Sequence, residues 1–260
     1  MNRGRIGRKN RMNDNLTFDF TYYHIIEKQL KDIVQTEHKT LMAASQLIAR
    51  AIYDDGLIHI FGTGHSHIFA EEAFYRAGGL ACVNPMLEPS LMLHCGAMKS
   101  SALEDLDGYA EKVFNHFHPE PKDVFILFSN SGVNLVPYQM AQKVRQNGTP
   151  LIAIGSKKYM SYLKENKKRP SIQEVASVFI DNHSDIGDAS IALPGFDQKI
   201  APTSTIAGAF ILNLILANAS RYLIVKEKIV PPVFVSGNLP EGKQKNSELY
   251  HTYRQRVKML

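Results

Sequence analysis

The chain has no tryptophan and only two cysteines among its 260 residues. Cys82 and Cys95 are too few for a disulfide framework, and neither stands in a C-x-x-C metal motif. No run approaches the ~20 apolar residues that a membrane span needs. The N-terminus also lacks an apolar signal core. These absences favour a protein of the reducing cytoplasm, with no membrane association.

The net charge of +5 comes largely from the first eleven residues. The basic residues of this stretch are Arg3, Arg5, Arg8, Lys9 and Arg11. Such a run can contact nucleic acid, but no helix-turn-helix or zinc pattern accompanies it, and the remaining chain is close to neutral. We interpret residues 1–15 as a basic, disordered arm, or as sequence upstream of a true start at Met12, and we expect no nucleic-acid partner. Residues 16–260 are expected to form one domain.

Apolar periodicity predicts alternating helices and strands. Apolar residues recur at three- and four-residue steps from Tyr22 to Tyr53, which predicts one long lead helix. Short apolar runs at 57–61, 80–83, 124–128, 151–154 and 178–180 predict five strands. Because helical stretches separate them, the pattern favours βαβ units and a parallel sheet.

Three loops rich in hydroxyl groups follow these elements. Gly64-His65-Ser66 follows the first strand, Ser129-Asn130-Ser131-Gly132 follows the third, and Thr203-Ser204-Thr205 opens a helix that is apolar nearly all round. In a flavodoxin-like strand order the first two loops would face each other across the switch point, where ligands bind. With no Walker lysine, this pattern favours a cradle for a phosphate monoester. Each Ser or Thr taken singly is more often a helix cap.

Residues 85–112 are harder to interpret. They hold polar residues among apolar ones, and we expect short helices and loop at the rim of a site. Taken singly, each of these polar residues is expected to be a cap or a solvated group: Glu88, His94, Lys99, Ser100, Ser101 and Glu104.

The three loops, above all Ser129-Asn130-Ser131-Gly132, resemble those of the sugar isomerase (SIS) domain family of phosphosugar-binding proteins. The resemblance covers roughly residues 20–230. With Glu71-Glu72 and Pro231-Pro232, the pattern is similar to lone SIS-domain proteins called sugar isomerase domain-containing proteins. It implies an α/β fold, a three-layer αβα sandwich with a five-stranded parallel, flavodoxin-like sheet, and a homodimer or higher oligomer.

The resemblance also implies a sugar phosphate as ligand. Its phosphate would be held by Ser66, Ser129, Ser131 and neighbouring amides, while the third loop would border the sugar. The predicted phosphosugar-binding residues are therefore Thr63, Gly64, His65, Ser66, Ser129, Asn130, Ser131, Gly132, Thr203, Ser204 and Thr205.

Aldose–ketose isomerisation needs a base beside the carbonyl, and a carboxylate or a histidine can serve. His67, Glu71 and Glu72 are the catalytic candidates. The His67-x-x-x-Glu71 pair resembles the helix of phosphoheptose isomerases that contributes to a metal site. The C-terminal helix here lacks that enzyme's second Glu and His, and two ligands are not a metal site. We therefore predict no metal and no cofactor. Phosphosugar ether cleavage, as in N-acetylmuramic acid 6-phosphate etherases, and a non-catalytic phosphosugar sensor remain alternatives.

Overall fold

The computed structural model describes residues 18–260, so the arm predicted at 1–15 lies outside the described residues. Within this range the helices are α1 (Thr21–Thr36), α2 (His38–Tyr53), α3 (Ile68–Ala73), α4 (Ala97–Leu103), α5 (Tyr109–Phe117), α6 (Leu135–Gln146), α7 (Lys157–Lys167), α8 (Ser204–Tyr222) and α9 (Gly242–Tyr253). The strands are β1 (Ile58–Gly62), β2 (Val83–Pro85), β3 (Val124–Phe128), β4 (Leu151–Gly155), β5 (Val178–Asp181), β6 (Ala189–Leu193) and β7 (Phe196–Pro202).

Five strands form the predicted parallel sheet, in the order β2-β1-β3-β4-β5. Every neighbouring pair in this sheet is parallel. The order is flavodoxin-like, which confirms the prediction. Because β1 pairs with both β2 and β3, the direction of winding reverses between β1 and β3.

Helices cover both faces of the sheet, which gives the three-layer sandwich. Along β3, Val124, Ile126 and Phe128 belong to one core, with buried residues of α2, α3 and α8. Phe125 and Leu127 face the other core, with residues of α5 and α6. Successive strand residues point to opposite faces, so the all-apolar run is explained by burial on both sides.

The prediction of a single lead helix over Tyr22–Tyr53 is wrong in one respect. The helix is broken at Glu37 into α1 and α2. Polar side chains at the break bind local backbone groups. The Thr36 hydroxyl donates to the Asp32 carbonyl at 2.9 Å, and the Thr40 hydroxyl donates to the Glu37 carbonyl at 2.9 Å. Such local bonds offer the backbone an alternative to a continuous helix.

The second strand was predicted at 80–83, ending before Asn84-Pro85, but β2 is Val83–Pro85. Leu80 instead forms an isolated antiparallel bridge with Val233. β2 is an edge strand, where proline is tolerated because no partner needs its missing N–H.

Gly78-Gly79 in the sequence predicts the end of the helix that follows the first loop, but this helix is shorter. Residues Gly64–His67 form a 3-10 turn, and α3 already ends at Ala73. Ser66 makes no capping bond through its side chain. The antiparallel hairpin β6–β7, which precedes α8, was not predicted from the sequence.

One face of the apolar helix α8 is buried in the described fold. Ala207, Ile211, Leu212, Ile215 and Ala219 are completely inaccessible to solvent. By length and composition alone, Ser204–Glu227 could cross a membrane, with a mean hydropathy of 1.5. Packing of α8 against α2 and α3 accounts for the apolar residues of its buried face as part of the core.

Candidate functional site

The first and second hydroxyl-rich loops leave the sheet side by side. β1 and β3 are paired along their length, with Gly62 opposite Phe128 in the last register position. The chain after Gly62 turns back tightly. A Cβ at this position would lie 2.8 Å from Cβ of Ser66, so only glycine fits. The residues 63–67 and 129–132 therefore meet at the predicted switch point.

The second loop is built to present hydrogen-bond donors. Gly132 has a φ of +64°, in the left-handed region that glycine adopts without strain. Its N–H donates to the buried Ser129 hydroxyl at 3.2 Å, which closes the turn. Within residues 18–260, the N–H groups of Asn130 and Ser131 and the Ser131 hydroxyl have no hydrogen-bond partner. Asn130 and Ser131 lie in the turn between β3 and α6, five and four residues before that helix begins, and their unpaired amides can serve as an anion-binding nest.

In the first loop, Ser66 is half-buried and His65 is exposed. The Ser66 hydroxyl makes no hydrogen bond with any described residue, whereas its N–H donates to the Thr63 carbonyl at 3.0 Å. This hydroxyl and that of Ser131 are thus free to bind a ligand at adjacent strand ends.

The third loop joins this edge through side-chain hydrogen bonds. The Asn130 side-chain oxygen accepts from Nδ2 of Asn182 at 2.9 Å, and the Asn182 side-chain oxygen accepts from the Ser184 N–H at 2.9 Å. The Thr203 hydroxyl in turn lies 3.4 Å from the Ser184 hydroxyl. Since these groups are buried or half-buried, the network fixes the start of α8 relative to the second loop.

Most donors at the start of α8 are already used within the chain. Asp188 accepts from the N–H of Thr203 at 3.1 Å, from the N–H of Ser204 at 2.9 Å and from the Ser204 hydroxyl at 2.6 Å. This carboxylate satisfies the helix terminus as an anion would. Among described residues, the Thr205 hydroxyl forms no hydrogen bond. The third loop therefore offers one free hydroxyl rather than a second anion nest.

A charged cluster flanks the third loop. Asp185 accepts from Lys158 and, at 3.1 Å, from Lys199. The hydrogen bond from Lys158, with a further one from Lys199, holds the pKa of the Asp185 carboxyl below its usual range. These two lysines are thereby held by a carboxylate of the chain.

The histidine candidate lies against the first loop. His67 Nδ1 bonds the Gly64 carbonyl, and because a carbonyl only accepts, Nδ1 carries the proton. Nε2 lies 3.6 Å from Oε1 of Glu71, and the two rings of His67 and His94 are 6.1 Å apart. The structure thus places His67 against the first loop with Nε2 facing Glu71.

The two glutamates of α3 differ in their surroundings. Glu71 has 46% of its side chain exposed and contacts His67. Glu72 forms an ion pair with Arg76 and accepts from Nδ2 of Asn213 at 3.2 Å. Glu72 is thereby tied between α3 and α8 instead of the loops.

One residue at the site was not among the predicted site residues. Glu104, at the end of α4, accepts a hydrogen bond from the buried Thr63 hydroxyl. Its backbone carbonyl accepts from the N–H of Val136, in the first turn of α6, at 2.9 Å. Glu104 therefore touches both sides of the switch point. In the sequence it was only one of several polar residues in the segment 85–112, and no local spacing distinguishes it.

Within the described part of the chain, no group of three or more His, Cys, Asp or Glu residues is arranged to hold a metal ion. His67 and Glu71 remain a pair.

The parallel sheet, the switch point and the Ser-rich loop are together the features of an SIS-type domain. A family model described as the SIS domain matches residues 21–156. The chain is 39% identical to a UPF0309 protein of Geobacillus kaustophilus over 240 residues, which covers 92% of this chain and 95% of that protein. A UPF0309 protein of Listeria monocytogenes is also 39% identical, covering 92% of this chain and 97% of that protein. This chain belongs to the SIS domain family and, within it, to the UPF0309 proteins.

A solved structure supports the same fold. A phosphoheptose isomerase from Francisella tularensis superposes with a TM-score of 0.55, covering 77% of this chain and 95% of that protein. The sequence identity is 10%, so the likeness is one of fold.

Proposed function

We propose that this protein binds a phosphorylated sugar at the carboxyl end of its sheet and interconverts the aldose and ketose forms. The phosphate would lie in the nest of the second loop, with the Ser66 hydroxyl across from it. The sugar would extend toward the third loop and Thr205. The observation that carries the proposal is a set of donors with no partner among the described residues: two half-buried hydroxyls and two amides in the loops that follow β1 and β3.

The proposed chemistry follows from the groups at the same edge. Isomerisation requires removal of a proton beside the carbonyl and stabilisation of the resulting enediolate. Glu71, Glu72 and His67 are the carboxylates and the histidine that the sequence proposes for this task. Sugar-phosphate isomerisation needs no oxidant or reductant, and we propose that no metal or cofactor takes part.

We further propose that residues 16–260 work as one domain in a cytoplasmic homodimer. The support is an open groove of about 510 Å³ that lies between α1, α2 and the end of α8. It is lined by apolar side chains such as Val34, Met42 and Val225, and none of the candidate-site residues lines it. Exposed apolar surface of this kind is typical of subunit interfaces.

The experiment that tests the proposal is a thermal-shift titration with sugar phosphates, each matched to its free sugar. A ligand that binds only the native state raises the melting temperature with its occupancy. We expect at least one sugar phosphate to stabilise the protein while its free sugar does not. If none does so at millimolar concentration, the proposal is wrong.

The same ligand then separates the candidate reactions. Conversion of the ligand into its aldose or ketose isomer supports the isomerase. Release of a lactyl or other ether-linked group supports an etherase, and binding without conversion supports a sensor.

A further inference from the structure

We propose that Glu104 is the carboxylate that moves the substrate's proton. This inference rests on the proposed function, because it concerns the same phosphosugar site. It replaces Glu71 and Glu72, the two glutamates of α3, by a residue of the segment between β2 and β3.

Glu104 is held at the switch point from two directions. Its Oε1 accepts from the Thr63 hydroxyl, which belongs to the residue directly after β1. Its main chain is bonded to the first turn of α6, which follows the second loop. Among the residues described, Oε2 of Glu104 has no hydrogen-bond partner, and the side chain is half-buried. One oxygen is therefore anchored while the other remains free for a ligand between the loops.

The segment around Glu104 is fixed to α6. The side chain of Gln139 accepts from the Gly108 N–H at 3.1 Å and donates to Asp107 at 2.5 Å. A base must be kept within hydrogen-bond reach of the proton it removes, so this attachment is what a catalytic carboxylate requires.

The two glutamates of α3 are less suitably held for removing a proton at this site. Glu72 is bound to Arg76 and Asn213, and Glu71 is nearly half exposed and bonds to no residue of the second loop. Asp188 also reaches a loop of the site, but three donors from Thr203 and Ser204 already occupy its oxygens. Among these four carboxylates, Glu104 combines contact with the first loop, attachment to the helix that follows the second loop, and an oxygen without a partner among the described residues.

The step is balanced without a co-reactant. The C–H bond beside the sugar carbonyl breaks, its proton goes to Oε2 of Glu104, and its electron pair forms the C=C bond of the enediolate. Glu104 returns the proton to the former carbonyl carbon while a proton passes between the two sugar oxygens. Aldose and ketose are thereby exchanged with no net change of oxidation state.

Deuterium exchange tests this assignment. The full-length protein is incubated in deuterium oxide with fructose 6-phosphate, arabinose 5-phosphate or sedoheptulose 7-phosphate, and NMR follows loss of the C–H signal beside the carbonyl. Glu104→Gln keeps an oxygen acceptor for Thr63 but cannot take up a proton. We expect exchange to fall at least 100-fold, in line with general acid–base catalysis, while the thermal shift with the same sugar phosphate is kept.

Two further variants guard against a purely structural effect. Asp105→Asn removes the neighbouring carboxylate, which is exposed and pairs with Arg169 at 3.5 Å, and should exchange as the native protein does. Glu104→Asp keeps a carboxylate on a shorter side chain and should recover part of the lost exchange, which a structural role would not predict.

The outcomes separate this inference from the proposed function. If Glu104→Gln exchanges deuterium at the native rate, Glu104 is not the base, and loss of exchange in Glu71→Gln would point to Glu71 instead. Neither result affects the proposed phosphosugar site. Binding by the native protein without any exchange also overturns the inference. Absence of binding by every sugar phosphate overturns both.

Discussion

The hydroxyls of Ser129 and Ser131 stand two residues apart but make different contacts. The Ser129 hydroxyl is buried and accepts from the Gly132 N–H, so it shapes the loop. The Ser131 hydroxyl is half-buried and has no partner among residues 18–260. One residue therefore supports the nest, and the other is available to the ligand.

Replacing these serines should separate affinity from stability. A hydrogen bond to a charged group contributes about 1.5–3 kcal/mol, so Ser131→Ala should weaken sugar-phosphate binding by about 10- to 100-fold. Its melting temperature without ligand should not change. Ser129→Ala should lose affinity and also about 1 kcal/mol of stability. Calorimetric titration and thermal melts measure both quantities; native affinity in Ser131→Ala would contradict the proposed cradle.

A second polar cluster at residue scale lies inside the molecule. Asp123 is almost fully buried, and its oxygens accept from His59 at 2.9 Å, from the Leu57 N–H at 2.8 Å and from the Glu120 N–H at 2.7 Å. Burial acts to raise the pKa of this carboxyl, but the hydrogen bonds from His59 and from the two amides outweigh it and lower the pKa. The cluster therefore favours the ionised carboxylate.

From the lowered pKa of Asp123 we predict how the stability of the fold depends on pH. The pKa of the Asp123 carboxyl is lower in the folded than in the unfolded chain. The carboxylate therefore stabilises the fold fully at pH values above the pKa in the unfolded chain, which is near 4, and this stabilisation is lost as the pH falls further. Asp123→Asn should lower the unfolding free energy at pH 7 by about 3 kcal/mol, as for a broken buried pair.

Urea unfolding at several pH values checks this. The difference between native and Asp123→Asn protein should shrink as the pH falls below about 4. A difference that stays constant over that range would show that the charge of Asp123 does not stabilise the fold.

At the scale of elements, α8 depends on a close approach to α3. A Cβ on Gly208 would lie 2.6 Å from Cε1 of Phe69, whose ring stacks on Phe128 at the end of β3 with 4.0 Å between centroids. The absent side chain at Gly208 thus lets α8 lie against the residues that follow β1 and β3.

Overpacking this contact should destabilise the protein. Forcing extra volume into a packed core costs about 1–3 kcal/mol, so Gly208→Ala should lower the urea midpoint although alanine favours helix. Gly237→Ala is the matched control, because a Cβ there would have no atom within 4 Å and should leave the midpoint nearly unchanged. Equal midpoints for both variants would contradict the packing argument.

The elements that the sequence predicts best are those whose burial is complete. The run Val124–Phe128 is apolar on both faces, and its predicted bounds agree with β3. β2 was misplaced because Leu80 pairs with Val233, far along the chain. The break at Glu37 depends on a few polar contacts that periodicity does not register.

In the candidate site, too, local sequence predicts some features, and contacts between distant residues determine the others. The loops after β1 and β3 could be predicted because each follows directly from an apolar strand. Glu104 could not, since its bond to Thr63 spans 41 positions of the chain. The occupation of the α8 terminus by Asp188 is likewise a contact between distant residues and has no local signature.

At the scale of the whole molecule, one flank of the described fold exposes apolar side chains. Val34 on α1, Met42 on α2 and Val225 after α8 are each about half exposed, at 49%, 49% and 53%. They line one open groove together with Leu41 and Leu214. A two-fold dimer would bring the same patch of each copy together and bury it.

Charge in this groove should therefore separate the subunits. We expect the native protein to be a dimer by size-exclusion chromatography with light scattering. Met42→Glu combined with Val225→Glu should give a monomer, because two carboxylates per chain would replace apolar side chains and would lose their hydration at the contact. Tyr162→Glu, at a 45% exposed position on α7, should remain dimeric. A native protein that is monomeric at about 100 μM, or a double variant that stays dimeric, would contradict this interface. An interface of about −7 kcal/mol is half-assembled at ~10 μM, and 100 μM is about tenfold above that concentration. Since the groove shares no residue with the candidate site, a folded monomer that still binds sugar phosphate would show that one chain holds a complete cradle.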